Sequence, residues 1–284
     1  MEKLRFTTTI NAPADKVWDI LWSDTSYRQW TAAFTDGSYA VSNWNEGDPV
    51  EFMSPSGDGM FSVIDKKDIN KHMAFKHLGI MRDFAKVLNG EEADNWKEAM
   101  EVYKLEEING KTTLQVELDS DGSYSDYFNS VFPKAIDTVK QLAEGKLKPV
   151  IIVLAIVKAP MSKVWDAWNN PEHITKWCQA SDDWHAPYAE NDLRTGGKFK
   201  TTMAAKDGSF SFDFGGVYSN VIPNELIEYT MEDGRKVSVR FSQEEDGVKV
   251  VEYFEPETMN SHEMQRGGWQ AILNNFKTYT ESLK

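Results

Sequence analysis

Apolar residues along this chain recur mostly with a period of two, and with a helical period at only a few places. Val50 and Phe52, Phe61 and Val63, then Met73, Phe75 and His77 each share one face of a short run. Tyr103 with Leu105, and Leu114 with Val116 and Leu118, continue the pattern. Such alternation predicts half-buried strands. Turn sequences separate the runs, Ser56-Gly57-Asp58-Gly59 and Asn109-Gly110 among them, and predict antiparallel hairpins. Ahead of the strands, Leu4 to Ile10 reads as an opening strand. Two short helices follow, one carrying Val17, Trp18 and Leu21 with Asn11 as its cap, the other ending near Trp30. Behind the strands, Phe128, Val131, Phe132, Ala135, Val139 and Leu142 predict a long helix from about Ser123 to Glu144, which Pro133 should kink or break.

The same order then begins again. Ala12-Pro13-Ala14-Asp15-Lys16-Val17-Trp18-Asp19 returns as Ala159-Pro160-Met161-Ser162-Lys163-Val164-Trp165-Asp166, at an offset of 164 − 17 = 147 that also carries Trp30 onto Trp177. A tandem duplication follows, with domains at 1–146 and 147–284. In the second copy, Val150 to Val157 is the opening strand, and Ser162–Trp168 and Pro171–Trp177 are the helix pair. Gly196-Gly197 marks a bulge or backbone with positive φ. Phe199, Thr201 and Met203 share a face, as do Phe210, Phe212, Phe214 and Tyr218 on the next strand. Ile227, Tyr229 and Met231, then Val237, Val239 and Phe241, follow. A closing helix from about Ser261 buries Trp269, Ile272, Leu273 and Phe276, and its Gly267-Gly268 pair is expected to admit a close backbone approach. The first copy alone carries an insertion near 79–100, read as a short helix and acidic loop or as a lid over a pocket.

The second copy resembles the START-like (SRPBCC, helix-grip) superfamily, in the branch of activator of heat shock protein 90 ATPase homologues. The resemblance rests on Ala159-Pro160 with Val164-Trp165-Asp166-Ala167-Trp168, on Asp192-Leu193-Arg194-Thr195-Gly196-Gly197 and Gly215-Gly216-Val217, and on Val221 to Ile227 and Gln265-Arg266-Gly267-Gly268-Trp269. The first copy keeps the opening motif and Trp30, and lacks the Gly-Gly turn and the Gly-Trp helix start. The resemblance implies an α+β fold of two tandem helix-grip domains, each a curved antiparallel sheet of about six or seven strands around its C-terminal helix. It also implies an apolar cavity between sheet and helix. Relatives bind lipids, sterols or polyketide-like molecules there, and a few are aromatase or cyclase enzymes.

Composition narrows the partners. The chain has 284 residues and a net charge of −14, which disfavours nucleic acid and anionic lipid. A single cysteine, Cys178, excludes an internal disulfide, and no apolar run is long enough to span a bilayer, so a cytoplasmic protein is expected.

Candidate chemistry is sparse. The five histidines show no metal-ligand spacing, and no nucleophile–base order or phosphate-cradling loop is present, so neither metal nor cofactor is expected. His77 is the histidine placed to face a cavity, with an ordinary hydrogen-bonded core histidine as the default. Cys178 reads as a buried, inert thiol. Candidate ligand contacts in the first domain are Trp30, Phe52, Phe61, Phe75 and His77 with Phe128 and Phe132 of the long helix. In the second they are Trp177, Phe199, Met203, Phe212, Phe214 and Phe241, with Trp269 and Phe276 of the closing helix. Tyr218 and Tyr229 join them as groups that could orient a ligand carbonyl. The leading expectation is a non-catalytic binding protein for hydrophobic small molecules. The alternatives are a co-chaperone-like module that offers its acidic surface to a chaperone or other basic partner, and a cyclase- or hydrolase-like enzyme. The enzyme requires an inward ionisable residue with a perturbed pKa, which none of these patterns identifies.

Overall fold

The computed structural model describes residues 1–283, which form two compact units with the boundary in sequence between Pro149 and Val150. The first unit runs β1 (Glu2–Ile10), α1 (Ala14–Trp22), α2 (Asp24–Thr31), β2 (Tyr39–Val41), β3 (Pro49–Met53), β4 (Gly59–Asp68) and β5 (His72–Arg82). It continues with β6 (Ala85–Val87), α3 (Glu91–Asp94), β7 (Met100–Ile108), β8 (Lys111–Ser120) and α4 (Ser125–Ala143). Its sheet is antiparallel in the order β1-β8-β7-β5-β4-β3-β2, with β6 paired to β5. The second unit runs β9 (Ile151–Val157), α5 (Met161–Asn169), α6 (Pro171–Trp177), β10 (Trp184–Asn191), β11 (Lys198–Ala205) and β12 (Ser211–Ile222). Then come β13 (Leu226–Met231), β14 (Lys236–Glu244), β15 (Gly247–Phe254) and α7 (His262–Ser282). Its order, β10-β11-β12-β13-β14-β15-β9, is the same path, with the first strand of the unit paired to the last. This is the α+β arrangement of two tandem helix-grip domains, with eight and seven strands.

The repeated Val-Trp motif does the same work twice. Val17 and Val164 are both fully buried, and each unit's later tryptophan ties its short helices together. Trp30 Nε1 donates to the Leu21 carbonyl at 3.1 Å, and Trp177 Nε1 to that of Ala167 at 2.9 Å. Period two also reads the sheet faces correctly over most strands: Met73, Phe75 and His77 are buried in β5, as are Ile227, Tyr229 and Met231 in β13. The Gly196-Gly197 turn divides its demands. Gly196 has φ +81°, while a Cβ on Gly197 would lie 1.9 Å from the Asp192 carbonyl oxygen.

Three local expectations are corrected. Asn11 does not cap α1; the carboxylate of Glu107, on β7, accepts from the Ala14 backbone N–H at 2.8 Å instead. Pro133 does not break α4, because it sits on the exposed side of the helix, where the carbonyl left without its donor can be hydrated. The Gly267-Gly268 pair admits no close approach either, since a Cβ at each position would meet nothing within 4 Å.

Candidate functional site: one cavity in each unit

The first unit holds a cavity of about 550 Å³. Trp30, Phe52, Phe75, His77, Phe128 and Phe132 all line it, from α2, β3, β5 and α4. Phe61 does not. The inward positions of β4 are Met60, Ser62 and Ile64, so Phe61 faces the other way, where Lys86 Nζ lies 4.2 Å from its ring centroid. The 79–100 segment builds one wall. Ile80, Ala93, Trp96 and Ala99 pack into a small core of their own against Phe128 and Met60, and Trp96 lines the cavity.

Three of the polar side chains lining this cavity, His77, Glu101 and Tyr103, belong to a chain of contacts that runs across three strands and starts at Ser62 behind the wall. Ser62 Oγ and His77 Nδ1 are 2.7 Å apart, His77 Nε2 lies 4.0 Å from Glu101 Oε2, and the Tyr103 hydroxyl donates to Glu101 Oε1 at 2.5 Å. Burial holds the His77 imidazole down to about 4, only partly opposed by Asp119, and it raises the Glu101 carboxyl against the opposing hydrogen bond from Tyr103. His77 is therefore neutral near pH 7, and its bond to Ser62 fixes the ring's position. Ser62 is fully buried and does not line the cavity, so no substrate could reach it as a nucleophile. Sequence reading missed Glu101, although alternation from Tyr103 and Leu105 places it on their face.

The second unit's cavity is smaller, about 350 Å³. Trp177, Phe199, Met203, Phe212, Phe214 and Tyr218 line it, as do Tyr229 and Trp269. Phe241 and Phe276 do not, because both are consumed in packing beneath it. Phe276 is wedged 4.7 Å from Trp168 and 5.0 Å from Trp177, and Phe241 lies 5.2 Å from Trp165. Cys178 lines the cavity with Sγ 3.6 Å from Met203 Sδ, and burial pushes its thiol up to about 12, which leaves it unreactive at neutral pH. The Tyr218 hydroxyl is committed to Asn191 Oδ1 at 2.8 Å.

One further residue changes the character of this cavity. Glu252 on β15 lines it, is only 5% exposed, and is pushed up to about 8 by burial. It too was missed, although Val248, Val250 and Phe254 on the same face of the strand mark position 252 as inward. Among the described residues, no group of three or more His, Cys, Asp or Glu side chains could hold a metal.

Fold and cavities together define a pair of helix-grip domains, each with an aromatic-walled pocket between its sheet and its helices. The family described as "Activator of Hsp90 ATPase homolog 1-like protein" matches residues 158–281. The AHSA1-like protein from Aeromonas hydrophila is 43% identical over 47% of this chain and 92% of its own, with a TM-score of 0.45. A protein from Cytophaga hutchinsonii is 59% identical over 46% of this chain and 90% of its own, with a TM-score of 0.41. On these sequence likenesses, the chain belongs to the activator of Hsp90 ATPase homolog 1-like family. The di-domain ARO/CYC StfQ of the steffimycin biosynthetic pathway covers 98% of both chains at 13% identity and a TM-score of 0.39, too distant to carry an argument. No curated protein matches the chain. No helix among the described residues is long and apolar enough to cross a membrane.

Proposed function

We propose that this protein binds apolar small molecules in the cavities between sheet and closing helix, and does so without transforming them. The observation that carries this reading is the pair of cavities, about 550 and 350 Å³, each with many aromatic side chains in its wall and polar groups set among them. Both volumes fall in the range of small-molecule sites, and burial of an apolar ligand there supplies the affinity at about 25 cal/mol per Å². The acidic composition and single cysteine support a cytoplasmic setting. Native mass spectrometry of gently purified full-length protein, followed by solvent extraction, tests the reading. A discrete adduct of lipid, sterol or polyketide type is expected. A clean mass, together with no uptake of an apolar probe by either cavity, overturns it.

A second reading, a cyclase- or hydrolase-like enzyme, is favoured by the inward ionisable groups Glu252 and the His77–Glu101–Tyr103 chain. It requires that a bound compound leave chemically changed, and that Glu101→Gln or Glu252→Gln stop the change without loss of binding. The co-chaperone-like reading, with the acidic surface on a basic partner, requires a contact that weakens between low and moderate salt in a pull-down.

A further inference from the structure

Glu252 is a buried acid with nothing to hold. Its in-register neighbours are Val153 on β9 and Val239 on β14, and Val250 and Phe254 share its face on β15. All four are buried, and among the described residues no hydrogen bond or ion pair engages its carboxyl. The titratable groups on the same cavity are Cys178 from the end of α6, Glu190 on β10, Tyr218 on β12, Tyr229 on β13, Arg235 between β13 and β14, and Glu257 beyond β15. Arg235 is already engaged, with Nε 2.7 Å from Asp233 Oδ2. The negative charge of Glu252, where it forms, adds to the effect of burial in raising the Tyr229 phenol and the Cys178 thiol rather than being balanced by them.

An unbalanced carboxylate in such a place is costly, whereas a neutral carboxyl is one O–H donor and one acceptor. A buried donor without a partner is itself a penalty that a ligand can remove. Tyr229 adds a second hydroxyl to the same cavity, and among the described residues it has no hydrogen-bond acceptor. The remainder of the wall is mainly aromatic and aliphatic.

We infer that the second cavity is a site for an apolar molecule bearing a neutral oxygen acceptor of the ketone or ester type, and that Glu252 is its anchor, donating a hydrogen bond to that oxygen. The inference rests on the proposed binding function and adds the ligand class and the recognising residue. It is specific to the second unit. Val153 corresponds to Phe6 (153 − 147 = 6), and Phe6 pairs with Val116, so a valine stands where Glu252 stands.

The test uses three probes of one shape: benzophenone, diphenylmethane, in which the carbonyl is a methylene, and benzhydrylamine, in which it carries a cationic amine. Methyl-labelled methionine NMR of the full-length protein reads each cavity separately, because Met203 lines the second, and Met60 and Met81 line the first. At pH 6.5 the Met203 signal should report benzophenone binding about tenfold tighter than diphenylmethane, the worth of one hydrogen bond. Glu252→Leu should abolish that margin and keep diphenylmethane bound. Glu252→Gln, whose amide still donates, should retain the margin and lose the wild type's decline between pH 7 and 9. A margin that survives in Glu252→Leu, or benzhydrylamine bound most tightly, overturns the inference while leaving the binding function standing. If no probe perturbs Met203, Met60 or Met81, the binding function falls with it.

Discussion

The two cavities are built on one sheet path, yet they handle polarity in opposite ways. In the first, the acid is partnered: Glu101 accepts from Tyr103, and His77 is fixed by Ser62. In the second, the acid stands alone among valines and a phenylalanine. The larger cavity also carries a wall of its own from the 79–100 segment, whereas the smaller depends on the sheet and helices of its unit. Position 22 and its counterpart 169 (22 + 147) repeat the contrast. Both residues line a cavity, and each leaves a buried polar atom without a protein partner, Nε1 of Trp22 and Oδ1 of Asn169. The lesson is that duplication preserved the frame, down to a tryptophan that bonds back to the first short helix, at acceptors one residue out of register, while the groups facing the void diverged. A family of this kind can change what it holds without repacking what holds it up.

The sharpest way to break the comparison is to exchange the residues. Val116 is fully buried and does not line the first cavity, so Val116→Glu leaves the carboxyl no void to face. It should destabilise the first unit by about 4 to 5 kcal/mol in urea unfolding of the full chain. A cost below about 1 kcal/mol would show that the strand position, and not the cavity, decides whether an acid is tolerated.

Proton linkage comes next, with opposite signs in the two units. Glu252, raised to about 8, keeps its proton in the fold where the unfolded chain would lose it. Its contribution is therefore complete at acid pH and is lost as pH rises from the usual carboxylate range through about 8. The loss is on the order of 5 kcal/mol, measured as wild type minus Glu252→Gln. His77, lowered to about 4, behaves in reverse: stability is constant above the usual imidazole range and falls by about 3 kcal/mol as pH drops through 4. The elevated Glu101 opposes part of that fall, so the difference between wild type and His77→Gln is the quantity to follow. Parallel slopes for Glu252 and His77 would erase the distinction between the units.

The smallest expected effect concerns the closing helices. Gly268 lies inside α7 with open space around its missing Cβ. Gly268→Ala should raise stability by about 1 kcal/mol, seen as a higher midpoint in thermal unfolding. Destabilisation would mean that this helix start serves a requirement that Pro133 of α4 does not share.

Much of the frame was readable from side-chain period alone. Alternation placed Met73, Phe75, His77, Ile227 and Tyr229 on inner faces, because a strand with one buried face cannot slip by one residue without exposing its apolar set. Phe61 misled for the same reason in reverse. Phe61 and Val63 look like the inner pair of β4, yet the buried pair is Ser62 and Ile64, where hydrogen bonding to His77 makes a serine acceptable in the core. Glu101 and Glu252 were within reach of the same count, and were passed over because an acid at an inward position contradicts the usual partition of charge to water. Whether an aromatic side chain lines a void or fills one is not encoded in period at all. Phe276 and Trp269 share a helix face, and only the three-dimensional packing separates the wedge from the wall.

In each unit the first strand lies beside the last, β1 against β8 and β9 against β15. Each sheet therefore waits for its own final strand to leave the ribosome before its opening strand has a partner, and the closing helix emerges later still. The first unit can complete this circuit while the second is being synthesised, so it spends its vulnerable interval early. The second unit's opening strand, Ile151–Val157, is apolar at every position and has no strand partner until β15 has been made.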